Sequence, residues 1–175
     1  MDAEEDASPE ARTAGPLERS NGGNMHLPPC GIYRTTAAIG PIQPGRLVFF
    51  HNHGDPGPGV YPPESWHLNR AVFAHRGVTL PDSSLADTLE PLQPEGLYRV
   101  TEAFTCCERE CVTFNTELLV QLGYNGNAQP ILFVPNWTKS GLAFPETGHP
   151  LRSEQLRNLQ RLRVEGLPEP SAHLQ

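Results

Sequence analysis

Apolar residues along this chain occur in short clusters, each closed by turn-forming or polar residues: GIYRTT, RLVFFH, RAVFAHRG, LYRVTEAF, ECVTFN, ELLVQLG, PILFVP and GLAFP. β-Branched and aromatic side chains fill these clusters, and their length and spacing predict short β-strands. The clearest pair is LLVQLGYNGNAQPILFVP, where Asn125-Gly126 supplies the positive backbone angles of a two-residue hairpin turn between apolar arms. One segment has a different period. In SEQLRNLQRLRV, Leu156, Leu159 and Leu162 recur at helical spacing, Arg157, Arg161 and Arg163 fall on other faces, and Ser153 is placed to cap. This predicts a short amphipathic helix over 152–164, lying as a lid on the open end of a small barrel, with a partner-binding helix as the alternative. The fold class is therefore all-β with a short C-terminal helix.

The pattern also repeats. GIYRTT at 31–36 returns as GLYRVT at 96–101, Leu47-Val48 as Leu119-Val120, and the turn at Gly54 as the turn at Gly126. VYPPESW ends at Trp66 and LFVPNW at Trp137, the two tryptophans of the chain. Beyond each Trp follow, at matching intervals, Phe73 or Phe144, Gly77 or Gly148, and Leu80 or Leu151. Such a series predicts a tandem duplication of a β unit of about 50 residues. Each unit is expected to be a small, bent, SH3-like sheet, and the two should form a pseudo-symmetric pair, because so small a sheet buries little alone. The expected boundaries are a disordered acidic tail at 1–25, β repeat 1 at 26–81, a linker at 82–95, β repeat 2 at 96–151, the helix at 152–164 and a disordered tail at 165–175. The shared Tyr33/Tyr98, Arg34/Arg99, Trp66/Trp137 and Phe73/Phe144 read as scaffold, with an aromatic ligand groove in each copy as the alternative.

Composition narrows the function classes. The 16 Gly and 19 Pro suit turns between strands and disfavour a helical bundle. Net charge is −7, and the only stretch with more basic than acidic residues is the C-terminal end. Without a cationic face to meet phosphates, nucleic-acid binding is not expected. No apolar run has the length of a membrane span, and the acidic start lacks the pattern of a secretory signal, so a cytoplasmic location is expected. Four Cys in that setting suggest reduced thiols or metal ligands before disulfides.

Two segments differ between the copies, and both carry chemistry. HNHGD at 51–55 stands where the second copy has GYNGN. On an extended backbone, residues two apart point to one side, so His51, His53 and Asp55 are candidate ligands of one divalent ion (zinc, iron or manganese), with His67 or His75 as further donors. Gly45, His51 and His53 are spaced as in the start of the first cupin motif, which they resemble over about ten residues. That resemblance implies a divalent metal held by the histidine pair on a β scaffold. The motif's following Glu is replaced here by GDPGPG, and its second half has no counterpart. The plain alternative is that His53-Gly54 is simply a hairpin turn.

The other unequal segment is AFTCCERECVTF. Cys106, Cys107 and Cys111, with Cys30 just before the first Tyr strand, form a candidate thiol or zinc cluster to which His26 can add; inert buried thiols or a Cys pair are the alternatives. No nucleophile elbow and no phosphate loop is present in the sequence. The leading expectation is a non-enzymatic binding module that presents HNHGDPGPG and CCEREC to a protein partner. A small metal-dependent enzyme using His51 and His53, and an accessory subunit of a larger assembly, are the alternatives.

Overall fold

A computed structural model describes residues 27–106 and 112–165. The first half consists of β1 (Gly31–Thr35), β2 (Leu47–His51), β3 (Gly59–Tyr61), β4 (Pro63–His67), β5 (Arg70–Phe73), β6 (Val78–Thr79), a 3-10 helix (Ser83–Thr88) and β7 (Leu89–Pro91). The second half contains β8 (Gly96–Val100), β9 (Phe104–Thr105), β10 (Thr113–Phe114), β11 (Leu119–Tyr124), β12 (Pro130–Phe133), β13 (Asn136–Thr138), β14 (Gly141–Ala143), β15 (His149–Pro150), a 3-10 helix (Ser153–Asn158) and β16 (Leu159–Arg161). Two antiparallel five-stranded sheets result, ordered β6-β3-β2-β1-β7 and β15-β12-β11-β8-β16. The order of elements is the same in both, and so is the central register: Tyr33 lies opposite Val48, and Tyr98 opposite Val120. Each half also projects a separate hairpin, β4–β5 or β13–β14, and the second half adds the small β9–β10 pair. The fold is all-β. Its sheets are open at β6, β7, β15 and β16 and do not close into barrels.

Three expectations change. The segment expected as a C-terminal amphipathic helix is one 3-10 helix followed by strand β16, and Ser153 is the first residue of that helix instead of its cap. Leucines three apart fit the three-residue turn of a 3-10 helix as well as an α-helix. The free edge of β8 then takes the following residues: Leu159, Gln160 and Arg161 pair with Val100, Arg99 and Tyr98. The expected linker 82–95 contains the same device, a 3-10 helix capped by the Asp82 side chain on the Ser84 N–H and then β7 on β1. Finally, the Asn125-Gly126 turn is a loop over 125–129, because Tyr124 pairs with Pro130. The positive φ falls on Ala128, at 55°, while the Asn125 side chain accepts from the N–H groups of Asn127 and Gln129.

Tyr33, Val48, Phe50, Val60, Leu80 and Leu89 form one core; Tyr98, Val120, Leu122, Leu132, Leu151 and Leu159 form the other. Each Tyr hydroxyl donates at 2.7 Å to a proline carbonyl four residues earlier, Tyr33 to Pro29 and Tyr98 to Pro94. The halves are not separate beads. Leu47 belongs to the second core, its N–H donates to the Gly126 carbonyl at 3.1 Å, and Arg34 donates to the Ala128 carbonyl at 2.9 Å.

The β4–β5 hairpin makes a further joint. The Trp66 indole N–H donates to the Tyr124 carbonyl at 2.7 Å. The Ala71 N–H donates to the Glu95 carboxylate at 3.0 Å, and the same carboxylate accepts from the Tyr124 N–H at 3.3 Å. Asn69 donates to Gln121, whose amide donates in turn to the Leu68 carbonyl. A Cβ on Gly123 would stand 2.3 Å from the Asn69 carbonyl oxygen, so only glycine lets the hairpin turn approach this strand.

Candidate metal centre

Strand β2 ends at His51, opposite Gly59, and residues 52–58 connect it to β3. Pro28 and Pro29 lead the incoming chain past this end, and Cys30 arrives beside it. Cys30 Sγ lies 3.2 Å from His51 Nδ1 and 3.6 Å from His53 Nδ1. One donor atom from each of the three residues falls within 4.8 Å of the others. With Zn–S of about 2.3 Å and Zn–N of about 2.0 Å, tetrahedral geometry places a sulfur and a nitrogen ligand about 3.5 Å apart. The two observed S–N distances bracket that value.

Asn52 holds the group in place. Its N–H donates to Cys30 Sγ at 3.3 Å, its side-chain amide donates to the Pro28 carbonyl at 3.1 Å, and its Oδ1 accepts from the Cys30 thiol at 3.1 Å. That same oxygen lies 2.7 Å from His53 Nδ1. Burial holds the His51 imidazole below its usual pKa, and the neighbouring His53 pushes in the same direction. At neutral pH His51 is therefore the neutral, metal-ready form. Cys30 and His51 are partly buried and His53 is exposed, so an ion held here would have a side open to solvent.

The structure thus joins Cys30 to the histidine pair. Among the described residues, Asp55, His67 and His75 are not part of the convergent group. Cys106 is buried in the second core beside Phe114 and does not join it either. Cys107, Cys111 and His26 lie outside the described residues. Of the four shared aromatics, Tyr33 and Tyr98 are buried scaffold, Trp66 bonds across to the second half, and Trp137 stands 84% exposed.

Asn52 and Glu95 complete these contacts, and the sequence holds a signal for the second. Leu27-Pro28-Pro29-Cys30-Gly31-Ile32-Tyr33-Arg34 aligns with Leu92-Gln93-Pro94-Glu95-Gly96-Leu97-Tyr98-Arg99 without a gap, which puts Cys30 on the position of Glu95. The geometry agrees: Cys30 accepts the N–H of Asn52, and Glu95 that of Tyr124, the residue at the same register one sheet later. Burial raises the Glu95 carboxyl to about 7, against the lowering effect of the Ala71 N–H, the Arg70 charge and the Tyr124 N–H. One position thus carries a thiol beside two imidazoles in the first half and a stapling carboxyl in the second. No helix among the described residues is long and apolar enough to cross a membrane. No protein-family model, curated protein or solved structure matches this chain.

Proposed function

We propose that this chain is a non-enzymatic binding module made of two SH3-like units that arose by tandem duplication, and that its first unit holds a divalent metal, zinc by its donor set, on Cys30, His51 and His53. The observation that carries the metal is the convergence of one thiol and two imidazoles at zinc-ligand separations. Duplication is supported by the shared element order and register, and the SH3-like reading by the strand order with a 3-10 helix before the last strand.

The metal's role is structural. In the second unit the position of Cys30 is filled by Glu95, which ties a strand end through hydrogen bonds alone. In the first unit the same position faces the loop 52–58, rich in Gly and Pro, and an ion on Cys30, His51 and His53 would fix that loop to the incoming chain. A rigid loop on a sheet is a better recognition element than a mobile one, because less ordering entropy is lost on binding. With His53 exposed, such an ion would have room for water or for a donor from the partner.

Elemental mass spectrometry of the tag-free full chain tests the proposal. Near-stoichiometric zinc is expected in the wild type and in Cys107→Ala/Cys111→Ala, and its loss in Cys30→Ala and in His51→Ala/His53→Ala. Wild-type protein that retains no zinc after equilibration with zinc and desalting refutes it.

A further inference from the structure

The two projecting hairpins are equivalent in position and unequal in circumstance. Trp66 lies opposite Ala71 on β4–β5, and Trp137 opposite Leu142 on β13–β14. The first hairpin is bonded to the second unit through its indole N–H and the Ala71 N–H, which leaves Trp66 45% exposed. The second presents Trp137 at 84% and Leu142 at 43% exposure, side by side on one face. Trp137 thus has nearly twice the exposure of its counterpart Trp66, and a Trp with that much uncovered ring is the kind of residue that anchors interfaces.

We infer that the β13–β14 hairpin docks on a β-sheet unit of another protein as β4–β5 docks on the second unit here, and that the receiving unit carries a glycine and a carboxylate at its strand end. The inference rests on the duplication reading, since the internal joint is what shows how such a hairpin is received. Three features of that joint define the partner: a strand-end carbonyl for the indole N–H, a carboxylate for a hairpin N–H, and a glycine that admits the turn. Charge adds a fourth. Lys139, the single lysine of the chain, sits in the turn of the free hairpin where the seated one has Leu68, and it favours an acidic receiving surface.

A second copy of this chain does not meet these terms. Its second unit is already filled by its own β4–β5 hairpin. On its first unit the residues in register with Glu95 and Gly123 are Cys30 and His51, the candidate metal ligands. His51 puts a side chain where the joint requires glycine, and a divalent ion bound there would repel Lys139. The first unit is thus a capped end of the array and the second an open one, the asymmetry that terminal repeats show.

The test rebuilds the receiving face on this chain itself. Sedimentation velocity of the full-length wild type should show a monomer. Cys30→Glu/His51→Gly should associate head to tail with affinity raised at least about tenfold, and Trp137→Ala added to it should restore the monomer. His51→Gly alone serves if the double variant loses the wild-type thermal transition. A variant that melts as the wild type does and stays monomeric overturns the inference, as does association that survives Trp137→Ala. Wild type that associates through Trp137 would make a second copy the occupant, and carbodiimide coupling of Lys139 to an acid of 1–25 in the wild-type monomer would make that segment the occupant; either result overturns it. Zinc content of the wild type reports on the metal separately, because neither Trp137 nor Lys139 is among its ligands.

Discussion

Glu95→Gln isolates the most perturbed acid at the joint between the units. Glu95 is 7% exposed, and burial raises its carboxyl from 4.5 to about 7 although two N–H groups point at it. A group whose pKa is higher in the folded state adds stability that is fully present below its unfolded value. That contribution is lost as pH rises through the folded value. Here the window runs from 4.5 up to about 7. The displacement corresponds to about 3 kcal/mol, most of it falling between about pH 5 and pH 8.

Glutamine keeps Oε1, which accepts from both Ala71 and Tyr124, and removes the ionisation; the Ala71 bond to Oε2 is lost at every pH and adds only a constant offset. Urea unfolding of wild type and Glu95→Gln across that range should therefore give curves that diverge. The wild type is expected to lose about 2–3 kcal/mol relative to the variant between about pH 5 and pH 8. The other titrating groups contribute alike to both proteins and cancel in the difference. A constant gap between the two stabilities, whatever its size, would show that Glu95 does not titrate in this window and that the joint keeps its carboxylate ionised throughout.

Zinc uptake should fall with falling pH, because metal ligands must be deprotonated to bind; the apo protein should lose stability in the same direction, since the depressed His51 contributes stability above its usual value of 6.5 that is lost as pH falls through the folded one. Isothermal titration with zinc and apo-protein melts at stepped pH check the two separately, and a pH-independent affinity would contradict the ligand set. Gly123→Ala should cost about 1–3 kcal/mol by overpacking the joint, because its Cβ meets the Asn69 carbonyl at 2.3 Å. Gly126→Ala, whose Cβ has 3.7 Å to the Trp66 ring, is the silent control in the same denaturation series. Tyr33→Phe and Tyr98→Phe should each cost about 1 kcal/mol for the lost hydroxyl bond, and a thermal melt unchanged in both would show those bonds to be dispensable.

The central strands were readable because each spans several residues and buries apolar side chains: GIYRT, LVFFH, GLYRV, LVQLGY and PILF all pair in the middle of a sheet. The edges were not, since Val78–Thr79, Leu89–Pro91 and His149–Pro150 are too short to show a period, and a strand of two or three residues exists only because a neighbour offers its hydrogen-bonding edge. Aligning Ser83 and Leu89 with Ser153 and Leu159 would have exposed the shared 3-10 helix and edge strand, because both pairs are six residues apart. Local spacing of leucines instead suggested a helix in one half and a linker in the other.

Sequence by itself determined the β class, the repeated order of Tyr, Trp, Phe, Gly and Leu, and the histidine pair at 51 and 53, since all of these depend on neighbours a few residues apart. Only the tertiary structure decided that Cys30 joins those histidines across a gap of about 20 residues, that Glu95 ties Ala71 to Tyr124, and that the Trp66 indole is bonded across the joint while Trp137 stands 84% exposed. Sequence spacing specifies which way a side chain points from its own backbone. Which donor meets which acceptor, and which of two like hairpins finds a surface to cover it, follows from how the sheets pack on each other.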